Sequence, residues 1–178
     1  MTTRRAIRFI LNETPVTLAE VGPRDTLLDW LRLERRLCGT KEGCAEGDCG
    51  ACTVLVGRLA EGRLVYAPVN ACIRLMGSLD ACHIVTIEGL RGPGGALHPV
   101  QQAMVARHGS QCGFCTPGIA MALAALWMQG GQPSETAIEQ ALQGNLCRCT
   151  GYAPIIRAAQ DACALSRDDD PLLARRAE

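Results

Sequence analysis

Aromatic side chains are scarce: Phe9, Trp30, Tyr66, Phe114, Trp127 and Tyr152 are all there are in 178 residues. Stacking on nucleic-acid bases has little to work with. Net charge is missing too, with 18 basic residues set against 18 acidic ones. The chain therefore carries no electrostatic footprint for nucleic acid or a membrane surface. The longest apolar run, Ile119 to Met128, is half of a membrane span at most. The N-terminal stretch MTTRRAIRFILNETP has no secretory apolar region, because Arg8 interrupts it, and no apolar run follows the Arg4-Arg5 pair. These absences point to a cytoplasmic protein with neither a nucleic-acid partner nor a membrane span.

Cysteine is what the chain has in excess, eleven residues in all. The number is odd, so a fully paired disulfide framework leaves one over. In a reducing compartment, cysteine clusters usually bind metal or carry redox chemistry. The length fits one ordinary domain or two small ones, and about half the residues are hydrophobic. A chain of this size buries roughly 70% of its unfolded surface.

The first half reads as mostly β. Strands are expected at about 4–10, 16–20, 53–57, 63–67 and 83–87, with one helix over 23–36 capped by Asp25 or Thr26. GLRGPGGALHP (89–99) holds four glycines and two prolines and is the best boundary in the chain. Beyond it the pattern turns helical. PVQQAMVARHG ends on Gly109 as a C′ glycine, and TPGIAMALAALWMQGG is apolar all round, as a buried helix is. SETAIEQALQG runs from Ser134 to Gly144, and APIIRAAQDACALS opens on Pro154. The expected division is 1–88, 89–165 and a charged tail or linker, 166–178.

Cys44, Cys49 and Cys52 follow C-x4-C-x2-C, the plant-type ferredoxin spacing, and Cys72 is the natural fourth ligand. The glycines of this loop let backbone N–H groups aim at a cluster's sulfides. A 2Fe-2S cluster is the leading reading and a structural zinc ion the alternative, although zinc sites usually come as two separated knuckles. A Rieske centre needs two histidine ligands, and His83, His98 and His108 all lie outside the loop. A second set is split. Cys112 and Cys115 form C-x2-C, which a thioredoxin-type motif also does. Cys147 and Cys149 form C-x-C, too tight for an unstrained disulfide and better suited to one metal centre. CGFCTPG and CRCTGYAP both run two cysteines, a threonine, a glycine and a proline into a helix. They read as two half-sites, with Thr116 and Thr150 as caps and each helix N-terminus favouring the negative charge of a cluster. Cys147 and Cys149 are expected to approach from one side, with Arg148 turned outward.

Cys38, Cys82 and Cys163 fall outside both sets and are expected to be buried as small hydrophobes. Lys41, the one lysine, stands beside the first loop, either in a surface ion pair or as a charge near the cluster. The histidines are read as polar residues of helices and loops.

GTKEGCAEGDCGACTV, VNAC, HGSQCGFCTPG and GNLCRCTGY, in that order, resemble the iron–sulfur part of the molybdenum hydroxylases, the xanthine dehydrogenase and aldehyde oxidase family. The resemblance runs from about residue 5 to 165 and is closest in character to the bacterial xanthine dehydrogenases. It implies an α+β chain: an N-terminal ferredoxin-like β-grasp domain and a C-terminal four-helix bundle, each with one 2Fe-2S cluster. It also implies that Gln111 and Cys149 approach a molybdopterin on a partner. Electrons would pass one at a time from molybdenum through the bundle cluster and the ferredoxin-like cluster to FAD, with NAD as acceptor. Purine breakdown is the implied setting. Relatives acting on aldehydes, carbon monoxide or N-heterocycles share similar motifs.

No nucleotide-binding glycine loop is visible, so molybdopterin and FAD belong to partner subunits or domains. The chain itself reads as the electron-transfer subunit of an oxidoreductase, with no catalytic residue of its own. Its rivals are a freestanding ferredoxin and a zinc-stabilised interaction module.

Overall fold

A computed structural model describes residues 6–167. The expected tail therefore lies, but for its first two residues, outside the described residues. Five strands form one mixed sheet: β1 (Ile7–Leu11), β2 (Thr14–Leu18), β3 (Thr53–Ala60), β4 (Arg63–Asn70) and β5 (His83–Val85). Their order is β2-β1-β5-β3-β4, antiparallel throughout except for the β1–β5 pair. Both hairpins turn through residues with positive φ, Asn12 in the first and Glu61-Gly62 in the second. That backbone matches the twist of paired strands. Pro15 and Pro68 fall in the two edge strands, where a missing N–H costs no ladder bond.

The alternation of β3 divides the interior in two. Val54 and Val56 face one side with Phe9, Leu11 and Ile84, and Leu55 faces the other with Val85. The first side packs on the expected first helix. That helix is shorter and odder than its sequence pattern implies. Thr26 caps α1 (Leu27–Asp29), and the chain then widens over Trp30–Glu34, where the Arg35 N–H reaches the Trp30 carbonyl. The wide turn keeps Leu27, Leu28, Trp30 and Leu31 all buried, with Phe9 edge-on to Trp30 at 5.4 Å.

On the other side lie α2 (Pro99–Ala106), α3 (Thr116–Gln129), α4 (Glu135–Leu142) and α5 (Ala153–Ala164). Every residue of α3 from Gly118 to Ala125 is buried, as its unbroken apolar sequence dictates. Ile119, Met121, Leu123 and Trp127 pack with Leu55 and Val85 of the sheet in one core. Burial of each such side chain contributes roughly 1.5–3 kcal/mol. Ser134 caps α4 as expected. Gly109 does not take the left-handed C′ position at the end of α2. His108 does, at φ 53, and the Gly109 N–H reaches the Met104 carbonyl one residue later. His98 starts the same helix in a capping box with Gln101. Its ring stands edge-on to Trp127 at 4.7 Å, and burial lowers its pKa to about 4. No described helix is long and apolar enough to cross a membrane.

Candidate metal centres

The first cysteine set is built on a loop and closed by a strand end. Cys44 and Cys49 stand in the loop, Cys52 adjoins β3, and Cys72 follows β4. The β3–β4 hairpin thus carries Cys72 back to the loop that precedes it. The Cys44 thiol lies against Cys49, and Cys72 lies against Cys52 with Cys44 nearby. Main-chain N–H groups of Asp48 and Cys49 donate to the Cys44 sulfur, each at 3.3 Å. This is the arrangement expected of a loop that stabilises anionic sulfur, and it draws the Cys44 pKa down to about 6. Burial and the Cys52 thiol push Cys72 up to about 12. The Asn70 amide ties the strand end to the Gly47 carbonyl at 2.5 Å.

The second set brings together two segments distant in the chain. Cys112 and Cys115 precede α3, and Cys147 and Cys149 lie in the loop between α4 and α5. The thiols do not stay within their half-sites. Cys149 meets Cys112, sulfur to sulfur at 3.6 Å, and Cys147 lies against Cys115. Cys147 and Cys149, expected to approach from one side, each face a thiol of the Cys112–Cys115 segment. A single intervening residue turns successive side chains apart, and each finds its partner across the gap. Arg148 is exposed, as expected. Burial and the neighbouring Cys147 raise Cys115 to about 12. The Cys112 thiol beside it raises Cys149. Burial also raises Cys147, but bonds from Thr150 and the Cys149 main chain outweigh it and leave this thiol below its usual value.

The threonines are not helix caps. Cys115 occupies the N-cap of α3 and makes no side-chain cap bond, while Thr116 pairs with the Ser110 hydroxyl at 2.7 Å. Thr150 stands 3.2 Å from the Cys147 sulfur and accepts the Tyr152 N–H. Tyr152, at φ 66, holds the strained position before α5. Its hydroxyl takes the Cys147 N–H at 2.8 Å and donates to the Asn145 carbonyl at 3.0 Å. Only its nearness to the cysteines marks this tyrosine in the sequence.

Two thiolates on one tetrahedral metal, with metal–sulfur bonds near 2.3 Å, stand about 3.8 Å apart. The Cys112–Cys149 contact fits that spacing. Among the described residues no three His, Cys, Asp or Glu side chains converge as ligands of a single ion. The donor set, four cysteines in each case, is the one 2Fe-2S clusters take.

The two sets are joined backbone to backbone. The Leu146 N–H donates to the Cys49 carbonyl at 2.9 Å. The Asn145 amide donates to the Gly50 carbonyl at 3.0 Å and to the Thr53 hydroxyl at 3.1 Å. A Cβ on Gly50, itself at φ 69, would stand 2.0 Å from the Gly144 carbonyl, and one on Gly118 would stand 2.1 Å from the Gly50 carbonyl. A Cβ on Gly43 would meet the Cys49 sulfur at 2.8 Å and the Phe114 ring at 3.5 Å, so Phe114 of the second set lies over the first loop.

Cys82 and Cys163 are buried, but Cys38 is exposed, against expectation. Lys41 binds main chain in its own loop. Its ammonium donates to the Cys38 carbonyl at 2.8 Å and braces the loop. His83 bonds Tyr66 and the Asn12 carbonyl, so it serves the sheet. Gln111 is exposed beside Cys112.

Residues 9–75 match the family described as "2Fe-2S iron-sulfur cluster binding domain", and residues 86–160 match the "[2Fe-2S] binding domain" family. Xanthine dehydrogenase of Drosophila subobscura is 49% identical over 150 residues, which is 83% of this chain and 11% of that protein. Aldehyde oxidase 1 of Cavia porcellus is 46% identical over 88% of this chain and 12% of its own length. The chain thus spans about a ninth of these relatives. Among solved structures, a chain of quinoline 2-oxidoreductase from Pseudomonas putida 86 is 38% identical with a TM-score of 0.77, and 93% of that chain is covered along with 89% of this one. Aldehyde oxidoreductase from Desulfovibrio gigas, 36% identical, superimposes with a TM-score of 0.78 over 89% of this chain and 17% of its own.

Proposed function

The chain belongs to the iron–sulfur family of the molybdenum hydroxylases, and from that premise we propose that it relays single electrons from a molybdopterin centre on a partner to a partner's FAD. A bound 2Fe-2S cluster supplies one-electron redox chemistry. Cys44, Cys49, Cys52 and Cys72 would hold one cluster, and Cys112, Cys115, Cys147 and Cys149 the other. The observation that carries the reading is the crosswise meeting of Cys149 and Cys112 at 3.6 Å, two thiols from distant segments brought to the spacing of shared metal ligands. The Asp48 and Cys49 N–H groups aimed at Cys44 add to it, since such bonds offset the charge of thiolate and cluster.

In this reading residues 1–88 are a ferredoxin-like β-grasp domain and 89–165 a four-helix bundle. The order of the mixed sheet and the four helices α2 to α5 support that division. Gln111, Cys112 and Cys149 are exposed together, so this corner is the one that would meet molybdopterin. The partners are a molybdopterin-binding subunit and a FAD-binding subunit or domain, with NAD as terminal acceptor and xanthine as substrate. A second reading keeps the relay and changes the substrate to an aldehyde or an N-heterocycle. The likeness to chains of quinoline 2-oxidoreductase and aldehyde oxidoreductase favours it.

The test is metal and cofactor analysis of the protein purified with whatever accompanies it. Molybdenum, FAD and two clusters' worth of iron per chain are expected, with two distinct paramagnetic signals after reduction. A colourless protein containing zinc, or a single cluster per chain, would sink the proposal. Assay of the same sample with xanthine, an aldehyde and quinoline separates the two readings.

A further inference from the structure

We propose that Asn145 is the positioning residue that sets the spacing between the two cluster sites, an inference that rests on the two-cluster reading above. Asn145 is 5% exposed, a buried polar side chain in the loop that leads to Cys147. Its amide reaches out of the second site into the first. The Nδ2 donates to the Gly50 carbonyl and to the Thr53 hydroxyl. Gly50 lies between Cys49 and Cys52, and Thr53 directly follows Cys52. The same residue is fixed within its own site. Its N–H reaches the Leu142 carbonyl at the end of α4, and its carbonyl accepts the Tyr152 hydroxyl that also holds the Cys147 N–H.

The chemistry of the site selects an amide. One atom must donate twice, to two oxygens, and an asparagine nitrogen does so without charge. Aspartate offers only acceptors there, and a threonine or serine hydroxyl has one hydrogen to give. The network is also closed. Thr53 donates its own hydroxyl to the Gly50 carbonyl at 2.7 Å, so both partners of Asn145 are held to each other. Beside it the Leu146 N–H to Cys49 carbonyl bond runs between residues that are themselves a cluster ligand and the neighbour of one. Electron exchange between two sites falls steeply with separation, so the residue that fixes this distance governs their coupling. The step in question moves one electron from a reduced site to an oxidised one and makes or breaks no bond.

The experiment compares wild type, Asn145→Asp and Thr53→Val in the holoprotein, with both clusters reduced. Iron content is measured first, then the magnetic splitting between the two reduced clusters at low temperature. Asn145→Asp keeps the shape, sets a carboxylate oxygen against the Gly50 carbonyl, and can be met by the Thr53 hydroxyl only if that hydroxyl gives up its own bond to Gly50. Thr53→Val removes one partner only. The expected result is a full iron complement with the splitting lost in Asn145→Asp and narrowed in Thr53→Val, each cluster's own signal being unchanged. Where Asn145→Asp loses iron, Thr53→Val decides. Wild-type splitting in an iron-complete variant overturns the proposal, as does loss of iron from both variants, which would make this a folding contact. A wild-type protein with two clusters and no splitting overturns it too. A wild-type protein with one cluster sinks the two-cluster reading instead.

Discussion

At the scale of single residues, each cysteine set joins thiols from separate segments of the chain. Three thiols crowded into one glycine loop announce a plant-type set, and the hairpin brings Cys72 to them. Nothing in C-x2-C and C-x-C says that Cys149 will meet Cys112 and Cys147 will meet Cys115, because the pairing depends on how two distant loops face each other. The assignments carry an expected outcome. Cys149→Ser is expected to lose the cluster of the helical half and keep the other, whereas Cys72→Ser does the reverse, as read by iron content and by the spectrum of the reduced protein. A second expectation concerns His98, whose Nδ1 accepts the Val100 N–H at 3.2 Å. Protonation would remove that acceptor. The folded pKa of about 4 lies below the ordinary 6.5, so the unfolded chain binds the extra proton first. The stability due to neutral His98 is complete above 6.5 and drains away as pH falls toward 4, reaching a loss of about 2 kcal/mol near pH 5 and about 3 kcal/mol below the folded value. Melting curves of wild type and His98→Asn at neutral pH and near pH 5 check this. The variant keeps a cap and does not titrate, so its stability is expected to fall less.

At the scale of elements, the strands and the helices of the second half followed their patterns, whereas the first helix and several element ends did not. An alternating or unbroken apolar run is a local property, which is why β3 and α3 could be read directly. Caps depend on where the chain goes next. Thr116 turned to Ser110, Thr150 to Tyr152, and His108 took the left-handed residue that Gly109 could have supplied more cheaply. Asn145 and Tyr152 went unnoticed for the same reason: a buried polar residue in a loop has no periodicity. Gly118 shows how two effects compete within an element. Alanine gains up to about 1 kcal/mol over glycine in a helix interior, and less in the first turn, where Gly118 stands. Its Cβ, however, would stand 2.1 Å from the Gly50 carbonyl. Both contacting groups are backbone, so relief requires α3 and the first loop to part, at a cost of about 1–3 kcal/mol or more. Gly118→Ala is therefore expected to lower the melting temperature despite its better helix propensity, and an unchanged or higher value would show that the two segments separate freely.

At the scale of the whole molecule, the boundary at 89–99 divides the sequence more sharply than it divides the interior. Leu55 and Val85 belong to the sheet yet lie in the same buried cluster as Ile119, Trp127 and Ile155. The strands' period of two hides this, since both faces of β3 are apolar and the sequence does not say that the second face is covered by helices. The halves are expected to unfold together. Trp30 lies in one core and Trp127 in the other, so Trp30→Phe and Trp127→Phe leave a single reporter in each. Coincident denaturation curves from the two variants are expected, and Leu55→Ala is expected to shift both by about 2–5 kcal/mol. Separated transitions would mean two independent folding units. The crosswise meeting of thiols has a last consequence, for the order of events in making the protein. A metal held by Cys112 and Cys149 ties together the ends of a long loop, as a staple does, and removes the freedom that loop has in the unfolded chain. On the proposed ligand set neither segment alone presents a finished half of the centre, so a chain still emerging from synthesis would have no seat for this cluster until residue 149 had joined residue 112, and delivery of iron there would wait for the fold.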